Sequence, residues 1–310
     1  MRLVFMGTPD FALPSLKALT SSGHTLAAVV TQPDSPQGRG QHLFPPPVKM
    51  EAEAAGIKVL QPQKLSDPAF LDELGRLSPD LIVVVAFGRI LRPEVLQLPR
   101  LGCMNVHASL LPKYRGAAPI AWAIIKGEKQ TGVTTFKMDE GMDTGDIYLQ
   151  ETVEINPSDT AESLAIRLSE VGARLLLRTV EGIEAGTLTP TPQDPAQATP
   201  APMLTKEQGE VDWRLPAHQI ADLVRGLIPW PGAYTFYGEE RWKLWDVMSK
   251  DTPTDQKAGA ILKVGKDGIE VAAGRGVVEI RELQPANGKR MSAREFVAGH
   301  HLEEGVALGE

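Results

Sequence analysis

Asn105-Val-His-Ala-Ser-Leu-Leu-Pro-Lys-Tyr-Arg-Gly116 is the stretch on which the fold prediction depends. It follows two apolar runs, Leu81–Ala86 and Leu101–Met104, which are typical of buried strands in a parallel sheet. On an extended strand, Asn105 and His107 are two positions apart, so their side chains leave on the same face. Because ligands of open parallel sheets bind at the carboxyl ends of the strands, the sequence predicts a site here.

Apolar strands alternate with helices on both sides of this stretch. Leu3–Met6, a helix over Phe11–Ser21 and a strand over His24–Thr31 open a doubly wound, mostly parallel, Rossmann-like α/β domain. A stretch rich in Thr, Pro, Gln and Ala follows at 187–202, and short strands between 233 and 283 then predict a small OB-like β-barrel. The predicted organisation is therefore a catalytic domain over 1–188, a linker over 189–205 and a barrel domain over 206–310.

Composition limits the classes of function. The 310 residues carry a formal net charge of −7, which argues against non-specific duplex binding but allows a nucleic-acid partner held by a local basic patch. The single cysteine, Cys103, excludes an intramolecular disulfide and a cysteine-based metal site, and its apolar surroundings indicate a buried thiol. Neither a signal peptide nor an apolar run of about 20 residues is present, so a cytoplasmic protein is expected.

The candidate chemistry depends on an amide, an imidazole and a carboxylate. His107 can take or deliver a proton near pH 7, and the Asn105 amide can hold a developing oxyanion. Asp143, between Gly141 and Gly145 on a loop, is the best placed carboxylate to orient the imidazole. Each residue also has a structural alternative, as a core histidine, a turn asparagine or an Asx-turn aspartate. Since no nucleophile has a recognisable setting, direct transfer of an acyl group to an amine is favoured.

These motifs resemble those of the formyltetrahydrofolate-dependent formyltransferases. The motifs that carry the resemblance are Asn105-Val-His107, Ser109-Leu-Leu-Pro112, Lys113-Tyr-Arg-Gly-Ala-Ala-Pro119 and Gly141-Met-Asp-Thr-Gly-Asp146. Three more narrow it to the branch that acts on methionyl-tRNA, namely Gly7-Thr-Pro-Asp-Phe11, Gly38-Arg-Gly40 after Gln-Pro-Asp, and Trp230-Pro-Gly232. The resemblance covers nearly the whole chain.

The resemblance implies a transferase that moves a formyl group from 10-formyltetrahydrofolate to the α-amine of methionyl-initiator tRNA, giving N-formylmethionyl-tRNA for translation initiation. It implies three catalytic residues, Asn105, His107 and Asp143. The implied folate-binding residues are Ser109, Leu110, Leu111, Pro112, Phe87 and Gly88. Arg39 and Lys49 are the implied tRNA-binding residues, in the long loop after the second strand and just beyond it. No metal and a monomeric protein are expected.

The sequence departs from this family at two places and leaves alternatives open. Gln41 and His42 replace the lysines common in the loop, which predicts a weaker electrostatic attraction to tRNA. Phe87 replaces a common tyrosine. A formyltransferase for glycinamide ribonucleotide or an amino sugar nucleotide would share the catalytic residues, although the barrel and the long loop count against it. A non-catalytic tRNA-binding protein of the same fold is the second alternative. A nicotinamide oxidoreductase is disfavoured, because only Gly7 of its glycine fingerprint is present.

Overall fold

The computed structural model describes residues 1–37 and 42–309, whose contacts separate them into two units. The first unit contains Met1–Pro119, Gln130–Glu154 and Ala165–Ala201, and the second contains Ile120–Lys129, Ile155–Leu164 and Pro202–Glu310. Most of the predicted linker, up to Ala201, therefore has its contacts within the first unit. Among the described residues, no helix combines the length and the apolar character that crossing a membrane requires.

A mixed, mostly parallel sheet forms the first unit. Its strands in chain order are β1 (Arg2–Gly7), β2 (Thr25–Val30), β3 (Ser35–Gln37), β4 (His42–Phe44), β5 (Val59–Leu60), β6 (Leu81–Val85), β7 (Cys103–His107), β8 (Gln130–Lys137) and β9 (Ile147–Glu154). Seven of them make one sheet in the order β5-β2-β1-β6-β7-β8-β9. The first five in that order are parallel, whereas β7 pairs with β8, and β8 with β9, in antiparallel register. β3 and β4 form a separate antiparallel pair.

Helices connect and cover these strands. In chain order they are α1 (Leu13–Thr20), α2 (Pro47–Ala54), α3 (Pro68–Arg76), α4 (Pro93–Leu96), α5 (Pro119–Ile125), α6 (Ala161–Glu184), α7 (Ala217–Gly226) and α8 (Ala293–Gly299). The first four each carry a proline in the first turn, where its missing N–H costs no hydrogen bond. Helix α6 lies against β7 and β8, because a Cβ built on Gly172 would be 3.1 Å from Val106 and 3.6 Å from Val133.

Alternate residues of the parallel strands form one buried face of the sheet, as the period of two requires. This face joins strand residues to helix residues, and its fully buried members include Val4, Met6, Ala28, Val30, Ile82, Leu74 and Val95. All five residues of β6 are buried, so that strand is covered on both faces, as its continuous apolar run predicted.

Strand β7 begins two residues later than the apolar run Leu101–Met104 predicted. Gly102 has a φ of +80°, a backbone conformation that favours glycine, and its N–H donates to the Pro99 carbonyl at 3.0 Å. Leu101 and Gly102 therefore form a turn, and β7 extends instead to His107. Asn105 and His107 consequently lie within the last residues of a strand, at its carboxyl end.

The second unit contains an antiparallel sheet. Its strands are β10 (Ala233–Tyr237), β11 (Glu240–Lys250), β12 (Ile261–Val264), β13 (Ile269–Ala272), β14 (Val277–Pro285) and β15 (Met291–Ser292). They pair in the order β10-β11-β14-β13-β12, with β15 beside β14. Helix α8, which the sequence analysis missed, begins with a capping box between Ser292 and Glu295. The predicted fold class, a mostly parallel α/β domain followed by a small antiparallel β-rich domain, is confirmed.

Candidate active site at the carboxyl end of the parallel strands

Three strand ends meet at the first part of the candidate site. Thr8 follows β1 and Gln32 lies just beyond β2, and both side chains donate to the carbonyl of Phe87, at 3.1 and 3.0 Å. Phe87 and Gly88 lie just beyond β6, the Phe87 side chain is buried, and Gly88 has a φ of +79°. The two folate-binding candidates of this segment are thus fixed at the carboxyl ends of neighbouring strands, where the sequence predicted the site.

The imidazole of His107 has a defined tautomer. Its Nε2 is 2.9 Å from the backbone carbonyl of Tyr114, and a carbonyl only accepts, so Nε2 carries the proton. Nδ1 therefore bears the lone pair when the ring is neutral, and it lies 3.6 Å from Oδ2 of Asp143. The ring is 8% exposed and the carboxylate 17%. A proton taken up at Nδ1 would face a negative charge in a largely dry environment.

Asp143 is held where the loop between β8 and β9 turns back to β7. Its Oδ2 accepts a hydrogen bond of 2.8 Å from the N–H of Gly116, and its φ is +56°, which is uncommon for a residue other than glycine. A Cβ on Gly145 would lie 1.7 Å from the carbonyl oxygen of Lys137, so only glycine allows this approach. The structure therefore brings together His107 and Asp143, which are 36 positions apart in the sequence.

The side-chain amide of Asn105 forms no hydrogen bond with another residue in the described part of the chain. It is partly exposed, and it lies beside Val84 of β6 and Phe136 of β8 in the sheet. An amide NH₂ that no described residue engages can donate to a bound molecule. Two positions along the same strand, His107 offers its ring on the same face, so the amide and imidazole can act on one reacting group.

The turn at Ser109–Pro112 is supported from β8 and β9. The hydroxyl of Thr134 donates to the Ser109 carbonyl at 2.6 Å and accepts from the Leu111 N–H at 3.1 Å. The side-chain amide of Gln150 donates to Leu111 O and to the Thr134 hydroxyl, at 2.8 and 2.9 Å. The buried hydroxyl of Ser109 donates to the Lys113 carbonyl at 2.6 Å, so it serves the turn itself. Leu110 and Pro112 remain partly exposed, while Leu111 is buried.

Of the two tRNA-binding candidates, the structure describes Lys49 and not Arg39. Arg39 and Gln41 lie outside the described residues. The ammonium group of Lys49 forms an ion pair with Asp34, at 2.8 and 2.9 Å from its two carboxylate oxygens. Gln61 donates to the same carboxylate at 2.8 Å, and these bonds, from Gln61 first and then from Lys49, lower the pKa of Asp34.

Sequence reasoning missed the groups that hold the candidate catalytic residues. The Tyr114 carbonyl and the Gly116 N–H are backbone atoms, and residue type gives no signal for them. Gln193, in the predicted linker, donates to the carbonyls of Asp143 and Gly145 at 2.8 and 2.7 Å. Within residues 1–37 and 42–309, no group of three or more His, Cys, Asp or Glu side chains is arranged to hold a metal ion.

Known proteins match both parts of the chain. A family model described as formyl transferase matches residues 1–180, and a second, described as formyl transferase, C-terminal domain, matches residues 203–301. The chain is 52% identical over 309 residues to the methionyl-tRNA formyltransferase of Geobacter metallireducens, covering 100% of this chain and 99% of that protein. It is 50% identical over 315 residues to the methionyl-tRNA formyltransferase of Lachnospira eligens, covering both in full.

A solved structure has a fold similar to that of this chain. The N-formyltransferase of Helicobacter canadensis, in complex with folinic acid and dTDP-3-aminofucose, has a TM-score of 0.68 and 18% identity, covering 90% of this chain and 98% of that one. At that identity the likeness concerns the fold. The matches in sequence decide the family, because half of the residues are identical over the whole length. The chain therefore belongs to the methionyl-tRNA formyltransferase family.

Proposed function

We propose that the protein transfers the formyl group of 10-formyltetrahydrofolate to the α-amine of methionyl-initiator tRNA, giving N-formylmethionyl-tRNA for translation initiation. The observation that carries this proposal is the His107–Asp143 pair beside the Asn105 amide, in a chain about half identical from end to end to methionyl-tRNA formyltransferases. That identity does not favour glycinamide ribonucleotide or an amino sugar nucleotide as the acceptor, and it does not favour a purely tRNA-binding role.

The reaction asks for an attacking amine and a stabilised oxyanion. A model α-amine has a pKa of about 7.7–8.0, so a useful neutral fraction exists near neutral pH without a strong base. Its nitrogen bonds to the formyl carbon, and the carbonyl electron pair moves onto oxygen. When this intermediate collapses, the bond to the folate nitrogen breaks, and the proton lost by the amine ends on that nitrogen. The protein needs only to stabilise charge and to relay one proton.

The geometry supports a division of these tasks. The NH₂ of Asn105, which has no hydrogen-bond partner among the described residues, donates to the oxyanion, and His107 in its protonated form adds a positive charge beside it. Because the Tyr114 carbonyl occupies Nε2, the proton is taken up and released at Nδ1. Asp143 stabilises the protonated ring at a separation of 3.6 Å. No side chain has to form a covalent bond with the formyl group.

Folate binding is assigned to the strand ends next to this group. Phe87 and Gly88 are fixed by Thr8 and Gln32, and the Ser109–Pro112 turn is fixed by β8 and β9. Each segment has backbone groups that bond to side chains on or just beyond neighbouring strands, which limits its movement. Rigid flanking segments would place the formyl carbon without a large ordering cost on binding.

The tRNA is assigned to the loop that contains Arg39, to Lys49 and to residues 206–310, with catalysis in residues 1–188 and the linker over 189–205. We propose a cytoplasmic monomer. Arg39→Ala should raise the KM for tRNA strongly and leave the KM for the folate unchanged, because the loop would contact only the nucleic acid. Equal losses on both substrates would refute this assignment.

The proposed reaction is tested by offering acceptors in parallel. The purified protein is incubated with 10-formyltetrahydrofolate and with methionyl-initiator tRNA, methionyl-elongator tRNA or glycinamide ribonucleotide. Formylation of the first alone is expected, measured as acid-stable N-formylmethionine after the ester is hydrolysed. The proposal would be overturned if glycinamide ribonucleotide were formylated, or if neither tRNA were.

A further inference from the structure

Gln193 uses all of its side-chain hydrogen-bonding capacity at the candidate active site. Its two N–H groups donate to the carbonyls of Asp143 and Gly145, at 2.8 and 2.7 Å. Its oxygen accepts from Nη2 and Nε of Arg115, at 2.8 and 3.2 Å. An amide offers two donors and one acceptor oxygen, so every polar atom of the side chain is engaged. All four residues belong to the first unit.

The segment around Gln193 contacts both halves of the site. Thr191 exchanges two backbone hydrogen bonds of 2.8 Å with Ile147, at the start of the strand that follows the Asp143 loop. Further along, Thr199 and Ala201 bond to the backbone of Arg115, at 2.9 and 2.7 Å. Arg115 lies between Tyr114, which bonds to His107, and Gly116, which bonds to Asp143. Residues 191–201 therefore join the loop that carries Asp143 to the backbone that holds both side chains.

The backbone of Asp143 needs such support. Its φ of +56° lies in a region that costs energy for a residue with a Cβ, and such conformations persist only where the surroundings hold them. The Gly116 N–H fixes the carboxylate, and the amide of Gln193 fixes the carbonyl of the same residue. Without the second contact the loop can relax and move Oδ2 away from Nδ1 of His107.

We propose that Gln193 is a positioning residue for formyl transfer, which acts by holding the Asp143 loop in its left-handed conformation. This inference rests on the proposed function, since Asp143 is the group through which Gln193 acts. The hydrogen bonds of Gln193 go to Arg115, Asp143 and Gly145, and none of these is a proposed substrate-binding residue, so its removal should slow the chemical step and leave substrate binding intact. A displacement of about 1 Å at a reacting group can cost on the order of 100-fold in rate.

Two substitutions separate the contacts of Gln193. Gln193→Ala removes them all, whereas Gln193→Glu keeps an acceptor for Arg115 and loses the donors to Asp143 and Gly145. Both should lower kcat about 10- to 100-fold, with the KM for each substrate within about threefold of the wild-type value. Gln197→Ala is the matched control, because among the described residues the Gln197 side chain, in the same segment, bonds only to Asp194, at 2.9 Å. It should keep the wild-type kcat.

A double-mutant cycle with Asp143→Ala gives the decisive readout. If Gln193 acts through Asp143, then adding Gln193→Ala to Asp143→Ala should cost less than about threefold in kcat, because the shared effect is already lost. Full additivity, an unchanged kcat in both Gln193 variants, or a loss confined to KM would each overturn the inference. An inactive wild-type protein would instead overturn the proposed function.

Hydrogen–deuterium exchange tests the same contact without activity. Peptides covering residues 139–146 should exchange faster in Gln193→Ala and Gln193→Glu than in the wild type and in Gln197→Ala. Unchanged exchange in both Gln193 variants would refute the positioning role. If Gln193→Ala does not fold, Gln193→Glu, which is isosteric and keeps the Arg115 contact, carries both measurements.

Discussion

Replacing Asp143 by Asn removes the negative charge that faces His107 and changes little else. The oxygen that accepts from the Gly116 N–H at 2.8 Å can be supplied by the asparagine carbonyl, so the loop keeps that anchor. The atom facing Nδ1 at 3.6 Å then carries a partial rather than a full charge. The protonated form of His107 loses stabilisation in the transition state, and kcat should fall.

The size of the loss follows from the separation. Two unit charges 3.6 Å apart interact by about 4–5 kcal/mol at an effective dielectric constant of 20, which is a ceiling because both groups lose hydration in the pair. The amide dipole of asparagine and nearby water recover roughly half, which leaves about 2–3 kcal/mol. Since each 1.36 kcal/mol is a factor of ten, kcat should fall roughly 30- to 200-fold.

Steady-state formylation of methionyl-initiator tRNA measures this loss, with the KM for 10-formyltetrahydrofolate determined in the same experiments. Glu140→Gln is the matched control, because it removes the same charge from an exposed position of the same loop. The control should stay within about twofold of the wild type, and the donor KM of Asp143→Asn within about threefold. A kcat near the wild-type value in Asp143→Asn, or an equal loss in Glu140→Gln, would refute the role of this charge.

Three further predictions concern the fold. Burial raises the pKa of the Cys103 thiol to about 12, so Ellman's reagent at pH 8 should label it only after unfolding, and rapid labelling of the native protein would contradict this. Because the unfolded thiol ionises near 9.0, the contribution of Cys103 to stability should fall above pH 9. Gln61 and then Lys49 lower the pKa of Asp34, so Asp34→Asn should lower Tm at pH 7 by an amount that shrinks as the pH falls below 3.8, and a pH-independent difference would contradict it. Phe136 is 1% exposed, so Phe136→Ala should lower the free energy of unfolding, measured in urea, by about 3–5 kcal/mol. A loss of under about 1 kcal/mol would contradict its core position.

The sequence was sufficient where side-chain type and spacing carry the information. The continuous apolar run at 81–86 predicted a fully buried strand, and Leu81–Val85 is one. The spacing of Asn105 and His107 predicted a shared strand face, and both lie on β7. The boundary of β7 was wrong, because the turn at Gly102 depends on its positive φ and on a backbone hydrogen bond to Pro99.

The supporting contacts of the candidate site could not be predicted in the same way. The tautomer of His107 depends on the carbonyl of Tyr114, and every residue type offers such an atom. Gln193 lies in a stretch whose composition indicates a linker, and only the folded chain brings it 2.8 Å from the carbonyl of Asp143. Long-range backbone contacts of this kind leave no periodic pattern, so the sequence suggested candidate reacting groups but gave no sign of the contacts that orient them.

In the proposed mechanism, the Asn105 amide acts beside His107 and stabilises the oxyanion of direct formyl transfer to methionyl-tRNA. The most direct test compares single-turnover formylation of methionyl-initiator tRNA by the wild type and by Asn105→Ala, with folate binding measured separately. The wild type should form N-formylmethionyl-tRNA, and Asn105→Ala should do so about 100- to 1,000-fold more slowly with unchanged folate affinity, as expected for the loss of one oxyanion donor. A wild type that transfers no formyl group, or an Asn105→Ala variant with near-wild-type turnover, would contradict the claim.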